Sequence, residues 1–186
     1  MSNILVLYHS RGGNTKIMAD TIAAGASELE GMTVRVLSTD EASFDDLKWC
    51  DGIALGSPTN YGTISGKMKC WWDELPPSGW GTLDGKIGCA FSSSGAWGGG
   101  AELTCMTLMT ILMNYGFLTF GVTDYVDQQF SPHYGSISAS SPNEERVQKS
   151  CHRLGRRLAE WVSTLINSRE DHHPLKQDYE RFKSKT

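Results

Sequence analysis

Residues 10–15 read Ser-Arg-Gly-Gly-Asn-Thr, between the apolar run ILVLYH and the stretch KIMADTIAAGASEL. A strand-to-helix connection needs one glycine and one capping residue; this one carries far more. Gly12 and Gly13 let backbone N–H groups turn inward, and Ser10, Asn14 and Thr15 add side-chain donors. Arg11 adds a fixed positive charge. All of them stand at the positive end of the following helix. That pattern suits capture of an anion, a phosphate above all, through charge-assisted bonds of about 1.5–3 kcal/mol each. The bland alternative is a helix start with more caps than it needs.

Two further runs point the same way. In SPTNYGT (57–63), Pro58 and Gly62 stiffen a turn that presents Thr59, Asn60 and Tyr61. Amides with an aromatic ring suit a flat heteroaromatic ligand, whereas a plain proline turn is the alternative. In SSSGAWGGGAE (92–102), four glycines and three serines surround Trp97. Glycine at this density lets backbone pass close to a ligand. A flexible linker would not sit between a core strand and a core helix.

Other chemistries are disfavoured. Neither G-x-G-x-x-G nor the Walker pattern occurs, so a nucleotide triphosphate is not expected. Cys50, Cys70, Cys89, Cys105 and Cys151 are odd in number and scattered, with no CxxC. They read as reduced structural thiols of a cytoplasmic protein, and no metal site is expected. A formal net charge of -4 argues against non-specific nucleic-acid binding. No apolar run approaches the roughly 20 residues that span a bilayer, and MSNILVLY reads as a strand rather than a signal peptide.

The elements that must position these loops follow from periodicity. Five largely continuous apolar runs read as strands of a parallel sheet covered on both faces: 3–8, 33–37, 51–56, 86–92 and 117–126. Helices are expected at 14–29, 64–75 and 101–115, with a short one near 41–48. A last helix opens at Ser141-Pro142-Asn143-Glu144, where Ser141 and Glu144 would form a capping box. Met106, Met109 and Met113 read as core filling with Leu112. Strand–helix alternation repeated five times means a doubly wound α/β sheet in one domain, 1–167. Residues 168–186 read as a charged, solvated extension, with His172 and His173 at its surface. Trp71 and Trp72 are adjacent and must face about 100° apart, so part of the cluster with Trp80 is expected at an interface.

In a doubly wound sheet the ligand lies beyond the carboxyl ends of the strands, where all three loops emerge. One phosphate cradle, one ring clamp and one glycine-rich loop describe a site for FMN. The runs GSPTNYGTISGKMKCWWDE (56–74) and SSSGAWGGGAE resemble the flavodoxin-like superfamily and, within it, the WrbA-type NAD(P)H:quinone oxidoreductases, over roughly residues 3–165.

The resemblance implies a five-stranded parallel sheet of order 2-1-3-4-5 with helices on both faces. It implies FMN, its phosphate held by Ser10, Arg11, Gly12, Gly13, Asn14 and Thr15. The ring would lie against Pro58, Thr59, Asn60, Tyr61 and Gly62, and Ser93, Ser94, Gly95, Ala96, Trp97 and Gly98 would take its pyrimidine side and the ribityl chain. Asn114 and Tyr134 are implied on the cofactor, Trp80 and Gly12 on the substrate, with Trp80, Asn114 and Tyr134 reaching an FMN from across a subunit interface. It implies hydride from NAD(P)H, two-electron reduction of a quinone, and a homotetramer or dimer that completes the site. Three departures stand out. Asn60 replaces a frequent Arg, LMNYG (112–116) replaces a segment with a flavin-side His, and a long insertion before strand three is missing. The alternative is a flavodoxin-like electron carrier or a non-catalytic FMN-binding regulator. The acid-free loops, with Lys67 and Lys69 nearby, favour the enzyme, because they would stabilise negative charge on the reduced ring.

Overall fold

The computed structural model describes residues 1–173 and 176. β1 (Ser2–Tyr8), β3 (Gly52–Pro58) and β4 (Ile87–Ser94) are almost wholly buried, as continuous apolar runs in a doubly covered sheet should be. β2 (Met32–Ser38) alternates between half-buried and exposed because it is an edge strand. The order is β2-β1-β3-β4-β5, all pairings parallel. The register sets Leu5 beside Ile53 and Pro58 beside Ser93, so the carboxyl ends of β1, β3 and β4 finish together.

α1 (Asn14–Ser27) and α5 (Glu145–Ile166) cover one face, over Ile4, Val6, Ala54, Cys89 and Phe91. α2 (Phe44–Trp49), α3 (Gly66–Asp73) and α4 (Ala101–Asn114) cover the other, over Leu5, Leu7, Ile53, Leu55 and Ala90. α1 and α5 touch through glycines: a methyl on Gly155 would lie 1.9 Å from the carbonyl oxygen of Ile22, and one on Gly25 2.0 Å from that of His152. Ser43 and Asp46 form a reciprocal capping box at the start of α2. No helix among the described residues is long and apolar enough to cross a membrane.

Four expectations need correction. The fifth strand is not continuous over 117–126. β5 is only Leu118–Thr119, paired with Ile87 and Gly88. Residues 120–135 then leave the sheet, and β6 (Ser136–Ala139) pairs with Phe91–Ser94, making six segments in all. The cause is electrostatic: buried Asp124 accepts from Arg153 Nε at 2.5 Å and from Arg157 Nη2 at 2.9 Å, which ties the excursion to α5.

The last helix starts at Glu145 without the expected capping box. Ser141 Oγ instead accepts from the Asn143 amide at 3.3 Å, inside the turn that leaves β6. Only Met109 of the methionine stripe is core; Met106 and Met113, seven residues apart, share a line on the opposite side from Cys105, Leu108 and Leu112. Finally, Trp72 is 3% exposed and packs between Trp71 and Tyr115. Trp71 Nε1 donates to the Ala42 carbonyl at 3.2 Å, leaving only Trp80 of that cluster well exposed.

A 3₁₀ turn at Glu170–His172 lies against α5, with Ser163 Oγ 2.7 Å from His172 Nδ1 and the His173 ring edge-on to Trp161. Most of the extension read at 168–186 lies outside the described residues.

Candidate functional site

β1 ends at Tyr8, and the chain turns into α1 through Ser10–Gly13, with Gly13 in the left-handed region at φ 90°. None of the supposed surplus caps this helix: its N-cap is Gly13, with no side-chain hydrogen bond. Ser10 Oγ accepts from the Gly13 amide at 3.1 Å. Thr15 Oγ1, buried, lies 2.9 Å from Ser93 Oγ and ties α1 to β4. The first-turn amides of α1 therefore face outward without a side-chain partner, and Arg11 is exposed beside them.

These groups floor a hollow of about 240 Å³. Ser10, Arg11, Gly12, Asn14 and Thr15 form one wall; Pro58, Thr59, Ser93, Ser94 and Gly95 form the other. A methyl group on Gly12, Gly13 or Gly95 would meet nothing within 4 Å, so backbone lies bare toward open space. Bare amides at a helix's positive end, ringed by hydroxyls, fit a phosphate. The residues present thus fit the phosphate end of FMN.

The third wall escaped the sequence reading. Ser140, at φ 63°, lines the hollow. Its amide donates to the Ser94 carbonyl at 2.8 Å and its hydroxyl to the Gly95 carbonyl at 2.7 Å, while Asn14 Nδ2 donates to its own carbonyl. The signal was the serine-rich run SISASS. It lay outside the segment read as strand five, so nothing placed it at a strand's carboxyl end.

The loop expected beside a ring is tightly built. Asn60 and Thr63 exchange backbone bonds of 2.8 and 3.2 Å around Tyr61 and Gly62, both with positive φ (50° and 89°). That is a type I′ turn, and it holds Tyr61 fully exposed at the lip. The hydroxyl of Thr59 is not free for a ligand: it lies 3.0 Å from Ser92 Oγ and 2.9 Å from Thr104 Oγ1, while its amide donates to the Ser93 carbonyl. The two loops meet at Gly62 and Gly100, where a methyl on Gly100 would touch Gly62 Cα at 3.7 Å.

Other candidates lie elsewhere. Ala96, Trp97 and Gly98 line a second hollow at the start of α4, beside Gly99, Gly100 and Glu102. Trp97 is drawn outward: Phe130 meets it edge-on at 5.7 Å and the Arg146 guanidinium covers it at 4.9 Å. Asn114 ends α4, about 20 Å along the helix from the loop that faces the cradle. Trp80 packs on Tyr115 at that same far end. Tyr134 precedes β6, five residues or about 16 Å before Ala139. Trp80, Asn114 and Tyr134 are thus not brought to the cradle of their own chain.

The electrostatics also differ from expectation. Lys67 Nζ lies 3.1 Å from Asp40 Oδ1, and Lys69 is bonded to Asp73. The two cations expected to stabilise a reduced ring have carboxylate partners of their own. His9, just before the cradle, lies 2.7 Å from Ser65 Oγ through Nδ1. Burial, aided by Lys67 and opposed by Asp40, pushes its pKa below the ordinary value. A larger cavity, about 460 Å³, lies away from this site between α1, α5 and residues 124–126.

A 2-1-3-4-5 sheet with a phosphate-shaped hollow at its β1/β3 switch point is the architecture of an FMN-binding doubly wound protein. The family model described as "Flavodoxin" matches residues 6–131, and the chain belongs to the flavodoxin family. Membership implies FMN as the cofactor. A flavodoxin of Aquifex aeolicus is 51% identical over 183 residues, 98% of this chain and 99% of the relative. An NAD(P)H dehydrogenase (quinone) of Acidithiobacillus ferrooxidans is 35% identical over 145 residues, 66% of this chain and 72% of its own. The crystal structure of a flavodoxin, WrbA-like protein of Agrobacterium tumefaciens superposes with a TM-score of 0.72, covering 88% of this chain and 99% of that one. At 22% identity that likeness carries the fold alone.

Proposed function

We propose that the protein is an FMN-bearing electron carrier of the flavodoxin kind, passing electrons between redox partners. The observation that carries this reading is the 51% identity to a flavodoxin sustained across nearly the whole of both chains. The electrostatics support it. The acid-free loops favoured an enzyme only while Lys67 and Lys69 were free, and both are matched by Asp40 and Asp73. The exposed Tyr61 at the lip suits a cofactor edge offered to another protein.

FMN, when bound, supplies the electron storage. The chain's own residues hold it: the α1 amides, Ser10 and Arg11 take the phosphate. The Thr59–Ser92–Thr104 hydroxyl cluster fixes the floor between β3 and β4. Ser140 locks the Gly95 carbonyl, so the loop at 95–100 keeps its shape as charge changes beside it.

The second reading is the NAD(P)H:quinone oxidoreductase. It is favoured by the 35% identity to a quinone-linked dehydrogenase. Anaerobic mixing of the FMN-loaded chain with NADH or NADPH separates the two. A carrier is reduced by either nucleotide only over many minutes, yet once reduced by dithionite it passes electrons promptly to cytochrome c. Full reduction within seconds by a nucleotide, followed by stoichiometric turnover of benzoquinone, would refute the carrier reading.

A further inference from the structure

His9 joins the two walls of the phosphate hollow. It precedes Ser10 on one wall, and its amide donates to the Gly56 carbonyl at 3.0 Å, two residues before Pro58 on the other. Its Nδ1 lies 2.7 Å from Ser65 Oγ, and two buried serines carry that contact onward. Ser65 Oγ accepts from the Met68 amide at 3.2 Å and so caps α3. The Ser65 amide donates to Ser57 Oγ at 2.9 Å, and Ser57 Oγ donates to the Pro58 carbonyl at 2.9 Å. The two serine oxygens are 3.3 Å apart. Counting protons gives this chain a direction. Ser57 commits its one proton to the Pro58 carbonyl. Ser65 already accepts from Met68, so its own proton goes along the short contact to His9 Nδ1. His9 is then neutral, with its proton on Nε2. A proton arriving at Nδ1 reverses the roles: His9 donates to Ser65, and Ser65 turns its proton toward the Ser57 oxygen. Each group keeps a partner in both states.

We infer that His9 is a positioning residue for FMN, bracing the loop at 57–63 through Ser65 and Ser57 and taking a proton from solvent as the phosphate binds. Binding of FMN and protonation of His9 are then linked, each favouring the other by the same factor. The surrounding charges set its size. Among the described residues, Lys67 on α3 and Asp40 on the turn after β2 act on the imidazole, and they are paired with each other at 3.1 Å. Arg11, exposed, stands two residues further on. Burial first and Lys67 second, opposed by Asp40, hold the His9 pKa below its ordinary value, so without the phosphate the ring is neutral near pH 7. A phosphate on the α1 amides, three residues along the chain, lies about 10 Å away. Its near-double negative charge, partly screened, should raise the proton affinity of His9 by about three- to tenfold. FMN should therefore bind that much more tightly to the protonated form. The inference rests on FMN as the cofactor and holds alike for a carrier and an enzyme.

The test is an NMR titration of the histidine rings in the nitrogen-15-labelled chain, apo and FMN-loaded, with the His9 signals identified by their loss in His9→Asn. The ring should carry its proton on Nε2 at high pH, and its midpoint should lie about half to one pH unit higher with FMN bound. Flavin-fluorescence quenching then gives FMN dissociation constants across the same range for the natural chain and His9→Asn. The Asn Oδ1 replaces Nδ1 as the acceptor for Ser65 but does not titrate, so the phosphate's own ionisation is common to both chains. The affinity of the natural chain relative to His9→Asn should rise about three- to tenfold as pH falls through the His9 midpoint. His9→Leu, which offers Ser65 no acceptor, should weaken FMN binding by about fivefold at high pH, where His9→Asn matches the natural chain. A proton on Nδ1 in the neutral ring, a midpoint that FMN leaves unchanged, or an affinity ratio flat with pH overturns the inference. A chain that binds no FMN overturns the cofactor as well, so the two failures are told apart.

Discussion

Gly12 and Gly13 are neighbours in the sequence, yet the structure assigns them separate costs, and alanine substitution at each tests the cradle. Gly13 sits at φ 90°, where an L side chain is strained. Gly13→Ala should therefore lower stability by about 1–2 kcal/mol. Gly12 carries no such φ, and a methyl there meets nothing within 4 Å. Gly12→Ala should leave stability within about 0.5 kcal/mol of the natural chain, or raise it slightly by restricting the unfolded state. The same methyl projects from a wall of the 240 Å³ hollow, where the phosphate needs bare amides. Losing one charge-assisted bond of about 1.5–3 kcal/mol corresponds to roughly 10- to 150-fold weaker FMN binding. Urea unfolding of the apo chain gives the first quantity, and titration of apo chain with FMN, followed by quenching of flavin fluorescence, gives the second. If Gly12→Ala binds FMN as the natural chain does, the hollow is not the phosphate site. If Gly13→Ala costs nothing, the strain argument fails as well.

Three further outcomes are expected. Asp124→Ala should cost roughly 3 kcal/mol in urea unfolding. Burial already pushes the Arg157 guanidinium down and the Glu160 carboxyl up, and the substitution removes a carboxylate shared by Arg153 and Arg157; a loss below about 1 kcal/mol would show the cluster is not stabilising. His9 holds its proton less tightly in the fold than in the unfolded chain, because of burial first and Lys67 second. The unfolded state then binds more protons as pH falls below about 6.5, so stability should drop through that window and level off below the folded pKa. His9→Gln should flatten that dependence, and an unchanged profile would refute it. Cys70 is exposed while Cys50, Cys89, Cys105 and Cys151 are buried, and burial pushes the Cys50 and Cys151 thiols up to about 12. One thiol should react with an aromatic disulfide reagent before unfolding and five after it; more than one in the native chain would contradict the packing.

The first four strands, the faces they bury and the three loops at the sheet's carboxyl edge were legible in the amino-acid sequence alone. These depend on local signals: apolar runs such as ILVLY, glycines placed where backbone must turn, and hydroxyls beside them. The start of α1 at Asn14 and of α4 at Ala101 was legible for the same reason, since each follows a glycine in the left-handed region.

The remainder turned on long-range partnership. FLTFGVTDYV has the composition of one strand. It breaks after Thr119 because Asp124 finds Arg153 and Arg157 on a helix some thirty residues later. With strand five misplaced, Ser140 could not be assigned to the cradle, although it binds both Asn14 and Gly95. Charge balance was equally hidden. Lys67 looks free in the sequence, and its partner Asp40 is 27 residues away, on the turn that follows β2. The helical period shows that Met106 and Met113 share a line, but not which way that line faces. The direction was set when the sheet claimed Cys105, Leu108, Met109 and Leu112 for its core and left the other side of α4 to the solvent.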